Sequence, residues 1–201
     1  YQALKQGITP ELCLEVAHKL GAEVDIPLVF MTYFNPVHRY GLDAFCRDCD
    51  QAGINGLIIP DLPPEEGAEL EGISQRHGLD LIYLLAPTST DERIEMVAQR
   101  SRGFIYLVSL TGVTGPRERL PLGLENFISR VRQRARQPLC VGFGLSTADE
   151  ARRVAMVANG VIVGSRLIQL MEEKDPATKV RSFIQSLRDA LSSVVEDPAG
   201  G

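Results

Sequence analysis

Six short apolar runs recur along the chain, and each has the length of a buried β-strand. They are residues 26–31, 55–60, 79–85, 103–109, 138–144 and 160–165. None of them alternates between apolar and polar positions, and continuous apolar runs are typical of strands buried on both faces of a parallel sheet. The pattern therefore predicts a parallel sheet, with Met31 interpreted as a core residue at the end of the first run.

The segments between these runs carry apolar residues at a helical period. In residues 41–53, for example, Phe45 and Cys49 share one face, and Thr90 or Asp91 provides a capping residue for the second predicted helix. The predicted helices span residues 41–53, 90–101, 123–135, 146–157 and 175–195. Strands that alternate with helices predict a βα array with right-handed crossovers.

Two α/β architectures fit such an array: an open doubly wound sheet and a closed (β/α)8 TIM barrel. No GxGxxG pattern opens a first helix, which weakens the dinucleotide-binding form of the open sheet. The chain has 201 residues, whereas a full barrel typically needs about 250. We therefore expect a partial TIM-barrel domain over residues 1–195, with about six βα units, the first two units missing, and a frayed tail at 196–201.

Two strand-like runs near the end of the chain stop at glycines, in "VGFGLST" (141–147) and "NGVIVGSRL" (159–167). Many TIM barrels bind a substrate phosphate with the loops after their last two strands and the start of a short helix. Glycine lets the backbone approach the phosphate, and free N–H groups at a helix start favour an anion. As a consecutive pair these motifs predict phosphate binding, although each by itself also fits a plain tight turn.

Composition narrows the function classes. The net charge of -5 and the pI near 5.3 argue against a nucleic-acid partner. No apolar run approaches the length of a membrane span, and no secretory leader is expected, which favours a cytoplasmic protein with reduced thiols. Cys46 and Cys49 form a CxxC pattern, but both fall on an apolar helix face and no second pair is present for zinc. We expect them to fill the core and expect no metal site.

The order and the residue identities of several motifs are similar to those of one family. The stretches "PLVFMTYFNPVHRYG", "GLIIPDLPPEE", "YLVSLTGVTG", "CVGFGLST" and "GVIVGSRLI" resemble the alpha subunit of tryptophan synthase. The resemblance implies a lyase of L-tryptophan biosynthesis that cleaves indole-3-glycerol phosphate to indole and glyceraldehyde 3-phosphate by a retro-aldol reaction. It also implies a beta-subunit partner in an α2β2 heterotetramer.

The resemblance further implies roles for individual residues. The phosphate site is implied to consist of Gly115, Phe143, Gly144, Gly164 and Ser165. Tyr106 would point into the substrate pocket, and Thr114 would order a catalytic carboxylate when the loop 110–118 closes as a lid. Asn35 and Pro36, in the loop 32–41, would face the beta subunit.

Asp61 is the most prominent carboxylate at a predicted strand end. From position alone it could belong to an active site, order the turn that follows, or cap a helix start. The resemblance implies a supporting role at the mouth of the barrel.

The resemblance assigns no catalytic residue within this chain. The family uses a glutamate and an aspartate for the proton transfers, and neither matches a residue of this sequence. We expect the chain to bind the phosphate end only weakly and without turnover, and to need no cofactor, since the family's pyridoxal phosphate belongs to the beta subunit. Two alternatives remain: a truncated, non-catalytic remnant that docks on a beta subunit, and a related phosphate-binding isomerase or synthase, against which "VSLTGVTG" argues.

Overall fold

The computed structural model describes residues 7–108, 123–142 and 144–196. These residues form two compact units: residues 7–83 with 100–103, and the described part of residues 84–99 with 104–196. Each unit contains one parallel sheet whose strands are connected through helices. The assignment of residues 1–195 to a single domain stays a prediction.

The first unit is built on a three-stranded sheet. Its elements are α1 (Pro10–Gly21), β1 (Leu28–Met31), α2 (Phe34–Tyr40), α3 (Leu42–Gln51), β2 (Ile54–Ile58), a 3₁₀ turn (Pro64–Glu66), α4 (Ala68–Arg76) and β3 (Asp80–Ile82). The strand order is β1-β2-β3, and both pairings are parallel. The expected parallel arrangement is therefore confirmed in this unit.

Helix α3 shows how the predicted helical face packs. Phe45 is 3% exposed, and Cys46 and Cys49 are fully buried. The ring of Phe30 on β1 lies 6.5 Å from that of Phe45, centroid to centroid, so this face of the sheet packs against α3. Burial raises the pKa of Cys46 to about 11 and that of Cys49 to about 12, so both thiols stay protonated. The prediction that they fill the core is confirmed.

The second unit is built on a four-stranded sheet. Its elements are β4 (Leu84–Leu85), α5 (Asp91–Arg100, with Arg100 grouped in the first unit), β5 (Ile105–Val108), α6 (Leu124–Arg132), β6 (Leu139–Gly142), α7 (Ala148–Ala155), β7 (Gly160–Ile162), α8 (Ser165–Met171) and α9 (Pro176–Glu196). The order is β4-β5-β6-β7, parallel throughout. Ile105, Leu139 and Val141 are fully buried, as continuous apolar strands require.

The structure differs from the sequence prediction at three places. The run 79–85 is not one strand, because it divides at Tyr83, whose backbone N–H donates to Ser101 Oγ at 3.1 Å. The expected loop 32–41 contains the helix α2, and its Pro36 fits there because an N–H in the first helical turn has no intrahelical partner to lose. Met31 was wrongly placed in the core, since strand alternation on β1 leaves it 59% exposed.

Candidate active site

The carboxyl ends of β6 and β7 bring the two glycine-ended motifs side by side. The two strands pair in parallel, and the last pair in register is Gly142 with Ile162. Gly144 and Gly164 each follow that pair by two residues, just beyond the carboxyl ends of the two neighbouring strands. Neighbouring strands lie about 4.8 Å apart, so the two turns border the same small region.

Both glycines leave that region open. Gly144 and Gly164 are exposed, and an added Cβ at either position would meet no atom of the described residues within 4 Å. Gly144 has a φ of 20°, a value that residues other than glycine rarely adopt. The space that a side chain would occupy at either position is thus free of described atoms.

Helix α8 begins at this edge without a cap of its own. Gly164 is the N-cap residue, and as a glycine it has no side chain that could cap the helix. Its carbonyl accepts the first helical hydrogen bond, from Ile168 N–H at 3.1 Å. The N–H groups of the first turn have no intrahelical acceptor, and Ser165 in this turn is exposed. Such a helix start favours an anion through both its donors and its dipole.

Helix α7, which follows the other motif, starts in the opposite way. Thr147 Oγ1 accepts from Glu150 N–H at 3.2 Å, and Glu150 Oε2 accepts from Thr147 N–H at 3.2 Å, which completes a capping box. The same oxygen accepts from Ser146 N–H at 2.8 Å. Because the chain's own carboxylate occupies this helix start, an external anion is favoured at α8 and not at α7.

We expect Thr147→Ala to lower the free energy of unfolding by about 1 kcal/mol, because it removes the hydrogen bond from Glu150 N–H to Thr147 Oγ1. Urea denaturation of the variant and the wild type measures the change. Thr178→Ala is the matched control, since it removes a threonine hydroxyl from an exposed position on α9. Equal stability of the two variants would show that the bond to Thr147 Oγ1 contributes nothing.

Tyr106 extends from β5 toward the same strand ends. It pairs in register with Cys140, yet its ring lies over Gly142, two residues further along β6. An added Cβ at Gly142 would overlap the ring at Cε2 and Oη and approach Cζ to 2.7 Å. Burial raises the pKa of Tyr106, so its hydroxyl remains protonated and can donate a hydrogen bond. The place of Tyr106 is compatible with the predicted pocket role.

Asp61 follows β2 in the first unit and makes a defined contact. Its Oδ1 accepts from the backbone N–H of Phe34, the first residue of α2, at 2.8 Å. Of the roles that its position allowed, the structure shows a helix cap, but for a helix that precedes Asp61 in the chain. Asn35 and Pro36 are the second and third residues of α2, and Asn35 is exposed.

Three predicted site residues, Thr114, Gly115 and Phe143, lie outside the described residues. Within the described part of the chain, no group of three or more His, Cys, Asp or Glu residues could hold a metal ion. The roles assigned to Tyr106, Gly144, Gly164, Ser165 and the partner-facing residues stay predictions.

Sequence reasoning missed two residues that shape this region. Glu150 was detectable, because Thr147 and Glu150 have the Ser/Thr-x-x-Glu spacing of a capping box. Gly142 had a weaker signal, namely a glycine inside a buried strand, which often marks a close approach of another group. Its partner Tyr106 could not be identified without the register of β5 and β6.

The parallel βα units define an α/β protein. The two glycine-ended motifs and the start of α8, which has no side-chain cap, form a candidate anion site. The family model for the tryptophan synthase alpha chain matches residues 1–195. A tryptophan synthase alpha chain from Dehalococcoides mccartyi is 54% identical over 191 residues, which are 95% of this chain and 75% of that protein. One from Geobacter sulfurreducens is 40% identical over 195 residues, covering 96% and 74% of the two chains.

Solved structures agree with these relatives. A tryptophan synthase alpha chain from Legionella pneumophila superposes with a TM-score of 0.87 at 34% identity and covers 96% of this chain and 73% of that one. The Pyrococcus furiosus tryptophan synthase α2β2 complex contains a chain with a TM-score of 0.87 at 31% identity, covering 94% and 77%. These matches confirm the predicted α/β, TIM-barrel-like fold class.

The chain belongs to the tryptophan synthase alpha chain family, a family of lyases. It spans about three quarters of the length of these relatives. No helix in the described part of the chain is long and apolar enough to cross a membrane.

Proposed function

We propose that this chain binds indole-3-glycerol phosphate at the strand ends of its second unit and takes part in the retro-aldol cleavage to indole and glyceraldehyde 3-phosphate. The observation that carries the proposal is the uncapped start of α8 beside Gly144 and Gly164. The phosphate would accept hydrogen bonds from these backbone N–H groups and from the Ser165 hydroxyl. Phe143 and Gly115 would add further backbone donors.

The rest of the substrate would extend toward Tyr106, whose protonated hydroxyl can donate to a polar group of the substrate. The cleavage breaks a carbon–carbon bond and needs proton transfers at both ends of that bond. Neither carboxylate that the family uses for these transfers has a counterpart in this sequence. We therefore propose that these 201 residues contribute substrate binding to the reaction and do not by themselves complete the proton transfers. Thr114, on the proposed lid, would act on a carboxylate that this sequence does not contain.

The partner we propose is a tryptophan synthase beta subunit in an α2β2 complex. The α2β2 assembly of a similar protein from Pyrococcus furiosus supports this proposal. The surface would include Asn35 and Pro36, and the pyridoxal phosphate of the complex would belong to the beta subunit. We propose a cytoplasmic location, in keeping with the reduced cysteines and the soluble substrate.

We expect Gly164→Ala to weaken binding of glycerol 3-phosphate by about tenfold, the effect of crowding one hydrogen bond to a charged group. The described residues leave room for alanine at this position, since its Cβ would meet no described atom within 4 Å. Isothermal titration with glycerol 3-phosphate measures the change. Gly72→Ala in the first unit is the matched control, because its Cβ also enters open space. If both variants bind like the wild type, the phosphate does not lie at α8.

A turnover assay tests the proposal that this chain binds the substrate without cleaving it. Incubation of the chain with indole-3-glycerol phosphate should release no indole, although the compound binds. Release of indole would show that other residues of this chain perform the proton transfers. Binding of a beta subunit without binding of the phosphate compound would favour the docking-remnant alternative.

A further inference from the structure

The turn after β2 fixes where Asp61 points. Leu62 N–H donates to Ile59 O at 3.1 Å, which closes a turn with Pro60 and Asp61 at its two central positions. Proline pre-sets the backbone for the first of these positions. Leu62 is 5% exposed and anchors the turn in the core. The side chain of Asp61 is therefore presented from a rigid base.

Helix α2 needs a cap from elsewhere. Tyr33 is its N-cap residue, and within the described residues Tyr33 makes no side-chain capping bond. Asp61 Oδ1 supplies the missing acceptor to Phe34 N–H across 27 residues of sequence. A carboxylate at a helix start is also favoured by the helix dipole.

The backbone beneath this cap is continuous. Met31 pairs in register with Ile58, and the pairing extends one step further because Thr32 N–H donates to Ile58 O at 3.0 Å. The ends of β1 and β2 are thus joined by backbone hydrogen bonds. The bond from Phe34 N–H to Asp61 Oδ1 adds a side-chain connection just beyond them. The segment after β1 and the turn after β2 are held as one piece.

The residues in and next to α2 include both buried and exposed side chains. Val37 is fully buried and fixes the inner side, whereas Tyr33 is 67% exposed. Asn35, which follows the capped Phe34, is exposed as well. The hydrogen bond to Asp61 therefore sets the orientation of the first turn, in which Asn35 is exposed and Pro36 is partly exposed.

We propose that Asp61 is a positioning residue that joins the α2 segment and the turn 59–62 into one surface for the beta subunit. This inference rests on the proposed function for its partner. Asp61 acts through Phe34, and the contacts with the partner come from the first turn of α2. The turn 59–62 then holds the first turn of α2 in the orientation in which it meets the partner.

Two variants and one control test this inference. Asp61→Ala removes the acceptor, whereas Asp61→Asn keeps an oxygen at the position of Oδ1 and removes the charge. Glu69→Ala is the matched control, since it removes one negative charge from an exposed position on α4 in the same unit. Amide hydrogen exchange of Phe34, followed by NMR, reports the cap directly. The second measurement is the Kd for a tryptophan synthase beta subunit from the species of the 54%-identical relative.

We expect Asp61→Ala to speed exchange of the Phe34 amide and to weaken beta-subunit binding, each by about tenfold, as loss of a helix cap would. Asp61→Asn should retain most of both properties, and Glu69→Ala should change neither. Faster exchange with unchanged affinity would overturn the assigned surface. An asparagine variant as weak as the alanine variant in binding, with normal exchange, would show that the charge meets the partner directly.

The exchange measurement keeps this inference separate from the proposed partner. A wild-type chain that does not bind the beta subunit would overturn the partner proposal and the surface with it. In that case the exchange of Phe34 still decides whether Asp61 holds α2. Unchanged exchange in Asp61→Ala would overturn the positioning role whatever the binding result.

Discussion

Gly142→Ala is expected to displace the Tyr106 ring and to destabilise the second unit by about 2 kcal/mol, the typical cost of overpacking a core position. The added Cβ would overlap Cε2 and Oη of the ring and lie 2.7 Å from Cζ. Gly142 is buried within β6, so the strand cannot move aside freely and the half-buried Tyr106 ring must shift. Urea denaturation measures the loss, and glycerol 3-phosphate binding should weaken with it.

A second substitution identifies the cause of that loss. In the Gly142→Ala background, Tyr106→Leu removes the ring from the space that the new methyl group needs. We expect the double variant to be more stable than the sum of the two single changes predicts, which a double-mutant cycle measures. Strict additivity would contradict the overlap, and the change at Gly142 would then act through the backbone alone.

Gly67→Ala is expected to lower the free energy of unfolding by about 3 kcal/mol, because it combines overpacking with the loss of a buried hydrogen bond. The added Cβ would overlap the hydroxyl of Tyr83, a residue that is only 3% exposed. This hydroxyl donates to Glu71 Oε1 at 2.5 Å, and the same oxygen accepts from Arg100 Nε at 2.7 Å. Tyr83 cannot move without breaking this network.

The Tyr83 hydroxyl gives a clean test of that prediction. Burial and the adjacent Glu71 raise the pKa of Tyr83, so the hydroxyl stays a donor at ordinary pH. Tyr83→Phe removes the overlapping atom and leaves the Glu71–Arg100 ion pair in place, at a cost of about 1 kcal/mol by itself. We expect Gly67→Ala with Tyr83→Phe to be more stable than Gly67→Ala alone in urea denaturation. A double variant that is less stable than Gly67→Ala alone would contradict the proposed overlap.

Much of the local structure was predictable from the sequence. The apolar runs and the helical periods placed most strands and helices within a few residues, because burial of one face or both faces acts on neighbouring positions. The buried pair Cys46 and Cys49 followed from the same period. The family followed from motifs that survive in order along the chain, and the comparisons confirmed it.

The errors have a common physical origin. The division at Tyr83 depends on Ser101, and the exposure of Met31 depends on what packs against one face of β1. The helix α2 depends on a cap that Asp61 supplies from the next strand end. None of these partners lies within the few residues that a local pattern samples.

The sequence by itself determined the parallel α/β class, the helical faces, the family and the two glycine-ended motifs, because each depends on local period or on residue identity. Only the tertiary structure decided that Glu150 caps the start of α7 whereas the start of α8 has no side-chain cap, and that Tyr106 lies over Gly142. It also decided that Asp61 holds α2 across 27 residues. Strand register and the paths of the loops bring such groups together, and they are fixed by the packing of the whole unit.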